Sequence, residues 1–214
     1  VARLLEELAQ LAAWREWAYQ QPADRVALGR AALIAGADPK RVLERYYDPV
    51  KKIRPEFRDV YIASGELALD KSDFALASRI LGEAAKKFPD DPDIQFGLAR
   101  AFASSDTEAT QAALEKTLKA NPKHTGAHLL LADHHIDAES LDKAELSVAA
   151  ALSVNPALPE AHAFRAVLAE LKNDKAGYKS ARDAALKPSP RNPRVDHLIG
   201  RKFSQKYRFA EGAE

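Results

Sequence analysis

Cysteine and methionine are absent from the 214 residues, glycine is scarce at nine, and tryptophan occurs only twice. Without cysteine there is neither a disulfide framework nor thiol chemistry, and such a chain suits cytoplasm and periplasm equally. With no methionine anywhere and Val1 first, the natural chain is expected to start upstream. No GxGxxG, Walker or GxSxG loop occurs, and no HExxH helix. No catalytic, cofactor-binding or metal residue is therefore assigned. No apolar run has the length of a membrane span, and no signal peptide is evident. An excess of one charge is lacking as well: 32 Lys and Arg face 31 Asp and Glu. That balance argues against a nucleic-acid partner, which calls for a basic face. The charge is unevenly spread, mildly acidic over residues 58–186 and basic over 187–214.

What is present is a period. Pro55 to Pro89 is 34 residues, Pro89 to Pro122 is 33, and Pro122 to Pro156 and Pro156 to Pro190 are 34 each. Each proline closes a similar phrase, AAKKFPDDP, TLKANPKHT, ALSVNPALP and ALKPSPRNP. Proline just past a helix cannot continue it, so the chain turns there. Between prolines, apolar residues recur at helical spacing with no strand-like alternation. Each unit reads as two antiparallel helices, their turns marked by Lys71-Ser72-Asp73, Ser104-Ser105-Asp106, Glu139-Ser140-Leu141 and Lys172-Asn173-Asp174. The 33-residue unit is one residue short in its turn.

On these residues the chain resembles the tetratricopeptide repeat family, strongly over about 58–214. Aligned to the family's closing proline, Gly65, Ala99, Ala132, Ala166 and Gly200 take the small position of the first helix. Ala77, Ala84, Thr110, Thr117, Ala144, Ala151 and Ala185 take those of the second. Closely crossing helices need a residue without bulk at the contact and a large neighbour beside it. Tyr178 departs from the pattern and is expected to splay its hairpin. The resemblance implies an all-α, right-handed superhelical solenoid of antiparallel helix pairs. Its units are 58–91, 92–124, 125–158, 159–192 and an incomplete 193–214, so the array is expected to continue past Glu214. Upstream, 24–57 reads as a degenerate hairpin, with Asp38 as N-cap, Pro39 at the first helical position and Pro49 breaking or kinking the second helix. Residues 1–23 hold a packing or capping helix whose stripe includes Leu4, Leu8, Leu11 and Trp14.

The histidines invite a metal reading: His124 and His128 lie four apart, and Asp133, His134, His135 and Asp137 are clustered. The repeat register offers a structural one. It places His128 and His162 in the large-residue slot of a first helix, and His135 in an aromatic slot held by Phe102 and Phe203 in sister units. The register favours the second reading.

The resemblance also implies a concave groove lined by first helices. Its register assigns Ile62, Glu66 and Leu69, then Phe96 and Arg100, to that lining. Leu129, Asp133 and Ile136 follow, then Val167 and Glu170, then His197 and Arg201. Such a mixed trough suits a peptide or protein partner, with apolar residues giving affinity and charges giving register. The paired Lys and Asn of the subclass that grips chaperone C-termini are missing. The leading expectation is thus a non-enzymatic, protein-binding scaffold. The alternative is a substrate-presenting or regulatory region of a larger protein, since such arrays occur beside bacterial peptidase domains. A homodimer through an uncapped last hairpin is a further expectation, using Leu198, Phe203 and Phe209.

Overall fold

The computed structural model describes residues 21–206, which form helices and turns with no strand among them. The expected helix over 2–20 and the final residues, Phe209 included, lie outside the described residues. Contacts divide the chain into two compact units, parting between Ala120 and Asn121.

Unit 1 comprises α1 (Pro22–Ile34), α2 (Pro39–Val42), a π-helical turn (Leu43–Tyr47) and α3 (Asp48–Ile53). Then come α4 (Arg58–Asp70), α5 (Phe74–Lys87), α6 (Pro92–Phe102) and α7 (Thr107–Ala120). Unit 2 comprises α8 (Thr125–Asp137), α9 (Leu141–Val154), α10 (Pro159–Leu171), α11 (Lys175–Leu186) and α12 (Pro193–Gln205). Pro49 does not break its helix. The chain widens into the π turn before it, with the Asp48 N–H donating to the Leu43 carbonyl five residues back. The wider turn makes room for the proline ring, and α3 continues beyond.

The hairpin turns share one device. Gly36, Ser72, Glu139 and Asn173 adopt left-handed φ values of 86°, 57°, 56° and 60°. The next residue's N–H then reaches back five positions: Ala37 to Ala32 at 2.9 Å, Asp73 to Ala68 at 2.9 Å, Ser140 to His135 at 2.8 Å and Asp174 to Ala169 at 2.8 Å. These are Schellman closures, which satisfy the last carbonyls of the first helix. The 33-residue unit has none. There Asp106 N–H bonds Phe102 O instead, and the missing residue is the left-handed one. Aspartate then starts the second helix, with Asp73, Asp106 and Asp174 each accepting from a backbone N–H three residues on. A glutamate at positive φ is strained, so Glu139→Gly is expected to raise stability by about 0.5–1 kcal/mol. A denaturation midpoint lower than wild type would contradict this.

A second repeated tie fixes the proline loops. Tyr61 Oη donates to Pro55 O at 2.9 Å, Gln95 Nε2 to Pro89 O at 2.9 Å, His128 Nε2 to Pro122 O at 2.9 Å and His162 Nε2 to Pro156 O at 2.8 Å. Each donor sits six residues after its proline, so one slot of the first helix needs a long side chain tipped with N–H or O–H.

Small residues set the helix contacts. In unit 1, Leu81 of α5 is wedged against Gly65 of α4 and Gly97 of α6, where an added Cβ would stand 2.6 Å and 2.9 Å from its methyls. Thr110 and Thr117 substitute for alanine because each hydroxyl returns to a carbonyl four residues back, at 2.7 Å and 2.8 Å. In unit 2, Ala132, Ala144, Ala151, Ala166 and Ala185 are all fully buried. Tyr178 does not splay its hairpin. It lies half-buried over Phe203 with ring centroids 6.2 Å apart, while Ala181, one turn on, keeps α11 close to α10.

Candidate binding surfaces

The expected groove residues fall into open and closed sets. In unit 1, α4 and α6 pack together. Ile62 and Phe96 are half-buried, Arg100 is half-buried and Glu66 is exposed. Glu66 meets Arg30 of α1 at 3.4 Å. Arg58, opening α4, holds Asp91 and Asp93 at the start of α6, with one Asp91 contact at 3.0 Å. Burial works against the Asp91 charge, yet Arg58 and the Ile94 and Asp93 amides keep its carboxyl below the usual range. The two first helices are thereby clamped at their N-terminal ends.

Leu69, expected to line the groove, is buried, as are Ile136 and Glu170 at the same register position in unit 2. The reason is local: in each 34-residue repeat this residue lies on the last turn of its helix, folded under the Schellman closure. Its equivalent in the short-turned unit, Ala103, is exposed. Glu170, with only 3% of its surface accessible, is ion-paired to Lys175 at the start of α11.

Val167 is also fully buried, for a different reason. Lys202 of α12 has no exposed surface and sends its ammonium to Asp133 and Asp137 of α8, the latter at 2.8 Å. Arg201 adds a 3.7 Å contact to Asp133, and Lys206 donates to the Asp137 carbonyl at 2.9 Å. These bonds tie the first helices of two non-adjacent repeats across α10, and α10's inner residues Ala163 and Val167 are sealed with it. Leu129 packs half-buried against the same core, leaving His197 and Arg201 exposed. Phe203, expected on an uncovered edge, is 1% exposed and belongs to the core of unit 2.

The histidine cluster does not converge. His124 Nδ1 caps α8 by accepting from Ala127 N–H at 3.0 Å, and His128 is held by Pro122. Asp133 and Asp137 face Lys202. Among the described residues, no three His, Asp or Glu side chains are grouped to hold a metal ion. Burial, then the charges of His134 and Lys143, holds His135 below the usual imidazole range.

On the other side of unit 2, α9, α10 and α11 enclose a cleft of about 460 Å³, with His162 and Arg165 in its wall. The sequence held a signal for it in the pairing of Ala169 with Gly177, both small. For Lys202 it held none, since its partner Asp137 lies 65 positions away.

Two tetratricopeptide repeat family profiles match the chain, one over residues 62–109 and one over 101–168. By fold it is similar to TTC0263, a thermophilic TPR protein of Thermus thermophilus, at 18% identity with a TM-score of 0.68; 87% of this chain and 100% of that one are covered. It is similar also to YrrB, a TPR protein with an unusual peptide-binding site, at 16% identity and a TM-score of 0.55, covering 85% and 93%. PilF of Pseudomonas aeruginosa gives 14%, 0.69, 90% and 87% in the same order. At such identities the likeness establishes the fold alone. Among curated proteins, none matches by sequence.

Proposed function

Since the chain belongs to the tetratricopeptide repeat family, we propose that this protein-interaction scaffold takes an extended segment of its partner along α4 and α6 of unit 1. The observation that carries this reading is the pairing of half-exposed Ile62 and Phe96 with Glu66 and Arg100 on two helices in contact. Apolar side chains of a peptide would lie over Ile62 and Phe96, and its charges would select against Glu66 and Arg100. The peptide-binding site carried by a fold neighbour, YrrB, supports the same class of partner. In unit 2 the corresponding face of α10 is shut by Lys202, so recognition concentrates on α4 and α6 in this conformation. No catalytic role is assigned to any residue.

A pulldown against the immobilised Phe96→Ala/Arg100→Glu variant tests the reading. Partners held by the wild-type chain are expected to fall about tenfold or more, as for hot-spot residues at an interface centre. Equal recovery by both chains would remove α4 and α6 from the account.

A further inference from the structure

The cleft in unit 2 lies where one repeat has small residues on both of its helices at the same level. Position 169 belongs to the slot that holds Phe102, His135 and Phe203 in three of the other repeats; here, as at Ala68, it is alanine, but Ala68 stands by register opposite Leu76 rather than a glycine. The facing residue on the second helix is Gly177 where the preceding repeat has Lys143, and Ser180 stands for Leu146. Ala169 and Gly177 meet at the floor: a Cβ on Gly177 would come 3.3 Å from the Ala169 methyl. Val148, Leu168 and Ala181 supply the rest of an apolar surface, and the volume of about 460 Å³ suits a ligand rather than a single water.

The charges at the cleft are not balanced one for one. Glu145 is taken by Lys172 at 2.8 Å, and the Asp174 carboxylate turns into the start of α11, accepting from Gly177 N–H at 2.8 Å. Arg165 is exposed and makes no ion pair among the described residues. His162, oriented by its bond to Pro156, leaves its Nδ1 buried without a hydrogen-bond partner. The wall therefore offers an apolar hole with a cation beside it.

We propose that this cleft receives an aromatic side chain of a partner peptide, with a neighbouring acidic residue paired to Arg165. The ring takes the place that Phe102 or His135 takes in its own repeat. The carboxylate finds in Arg165 a planar donor with no competing anion. The site lies in unit 2, on α9, α10 and α11, so it stands or falls independently of α4 and α6.

The test is an amide-resolved NMR titration of the chain with acetyl-Phe-Glu-amide and with acetyl-Phe-Gln-amide. Saturable movement of the Ala169, Gly177 and Ala181 resonances is expected, with the acidic probe binding more tightly. Ala169→His, which restores the sister side chain without threatening the fold, is expected to weaken both probes about tenfold or more by occupying the hole. Arg165→Gln is expected to erase the preference for the acidic probe. The proposal is overturned if those resonances stay still at millimolar probe, if Ala169→His binds as wild type does, or if Arg165→Gln keeps the preference.

Discussion

Replacing Asp133 and Asp137 together by alanine is expected to destabilise unit 2 by about 3 kcal/mol, whereas Lys202→Met should change it by less than about 1 kcal/mol. The asymmetry follows from burial. Lys202 has no exposed side-chain surface, while Asp133 and Asp137 keep 24% and 48% of theirs. Losing the lysine leaves two carboxylates that keep part of their surface in water, with Arg201 still beside the inner oxygen of Asp133, and methionine fills the vacated channel with an unbranched apolar chain. Losing both aspartates strands an ammonium in the interior, which is the expensive direction. Alanine favours helix, so a fall in stability cannot be charged to α8 itself. Hydrogen exchange of α12 amides reads the effect locally, and a loss of about 3 kcal/mol corresponds to roughly a hundredfold faster opening. Equal destabilisation by the aspartate and lysine changes would show that the ion pairs do not organise this face.

The second large effect belongs to Leu81. With 2% of its surface exposed and glycines on both sides, Leu81→Ala should cost unit 1 about 3 kcal/mol through the cavity it leaves. Gly65→Ala is the sharper test because its sign should reverse. In the native background the new methyl stands 2.6 Å from Leu81 Cδ2 and 2.7 Å from Cγ, so the whole leucine must shift, costing about 1–2 kcal/mol. In the Leu81→Ala background the methyl has room, and the better helix former should recover about 1 kcal/mol. Guanidinium midpoints of the four chains measure this cycle. Additive changes would mean that Gly65 does not yield space to Leu81.

The repeat was legible because its two strictest demands are local and leave a mark at each stride. Proline must follow each hairpin, and small residues must stand at the helix crossings. The turns were legible from their polar residues, although only the structure shows that Ser72, Glu139 and Asn173 are left-handed and that the short unit lacks this residue. The slot shared by Tyr61, Gln95, His128 and His162 could have been found by counting six residues from each proline. It was hidden because three different kinds of side chain perform one bond. Of the inner-face residues, those in mid-helix of unit 1 stay accessible. Leu69, Ile136 and Glu170 do not, because helical periodicity alone ignores how a closure folds the last turn inward. Val167 was lost to Lys202, a contact between helices two repeats apart that no spacing announces. The slot held by Phe102, His135 and Phe203 is alanine at both 68 and 169, but only Ala169 is matched with a glycine, Gly177, and the cleft lies at that pair.

The most direct measurement of partner recognition is hydrogen exchange of the chain with a peptide selected on it from a random library. Slowed exchange concentrated in α4 and α6, and abolished with the peptide's affinity by Phe96→Ala/Arg100→Glu, is the result this account requires. Protection elsewhere with α4 and α6 unchanged would contradict it.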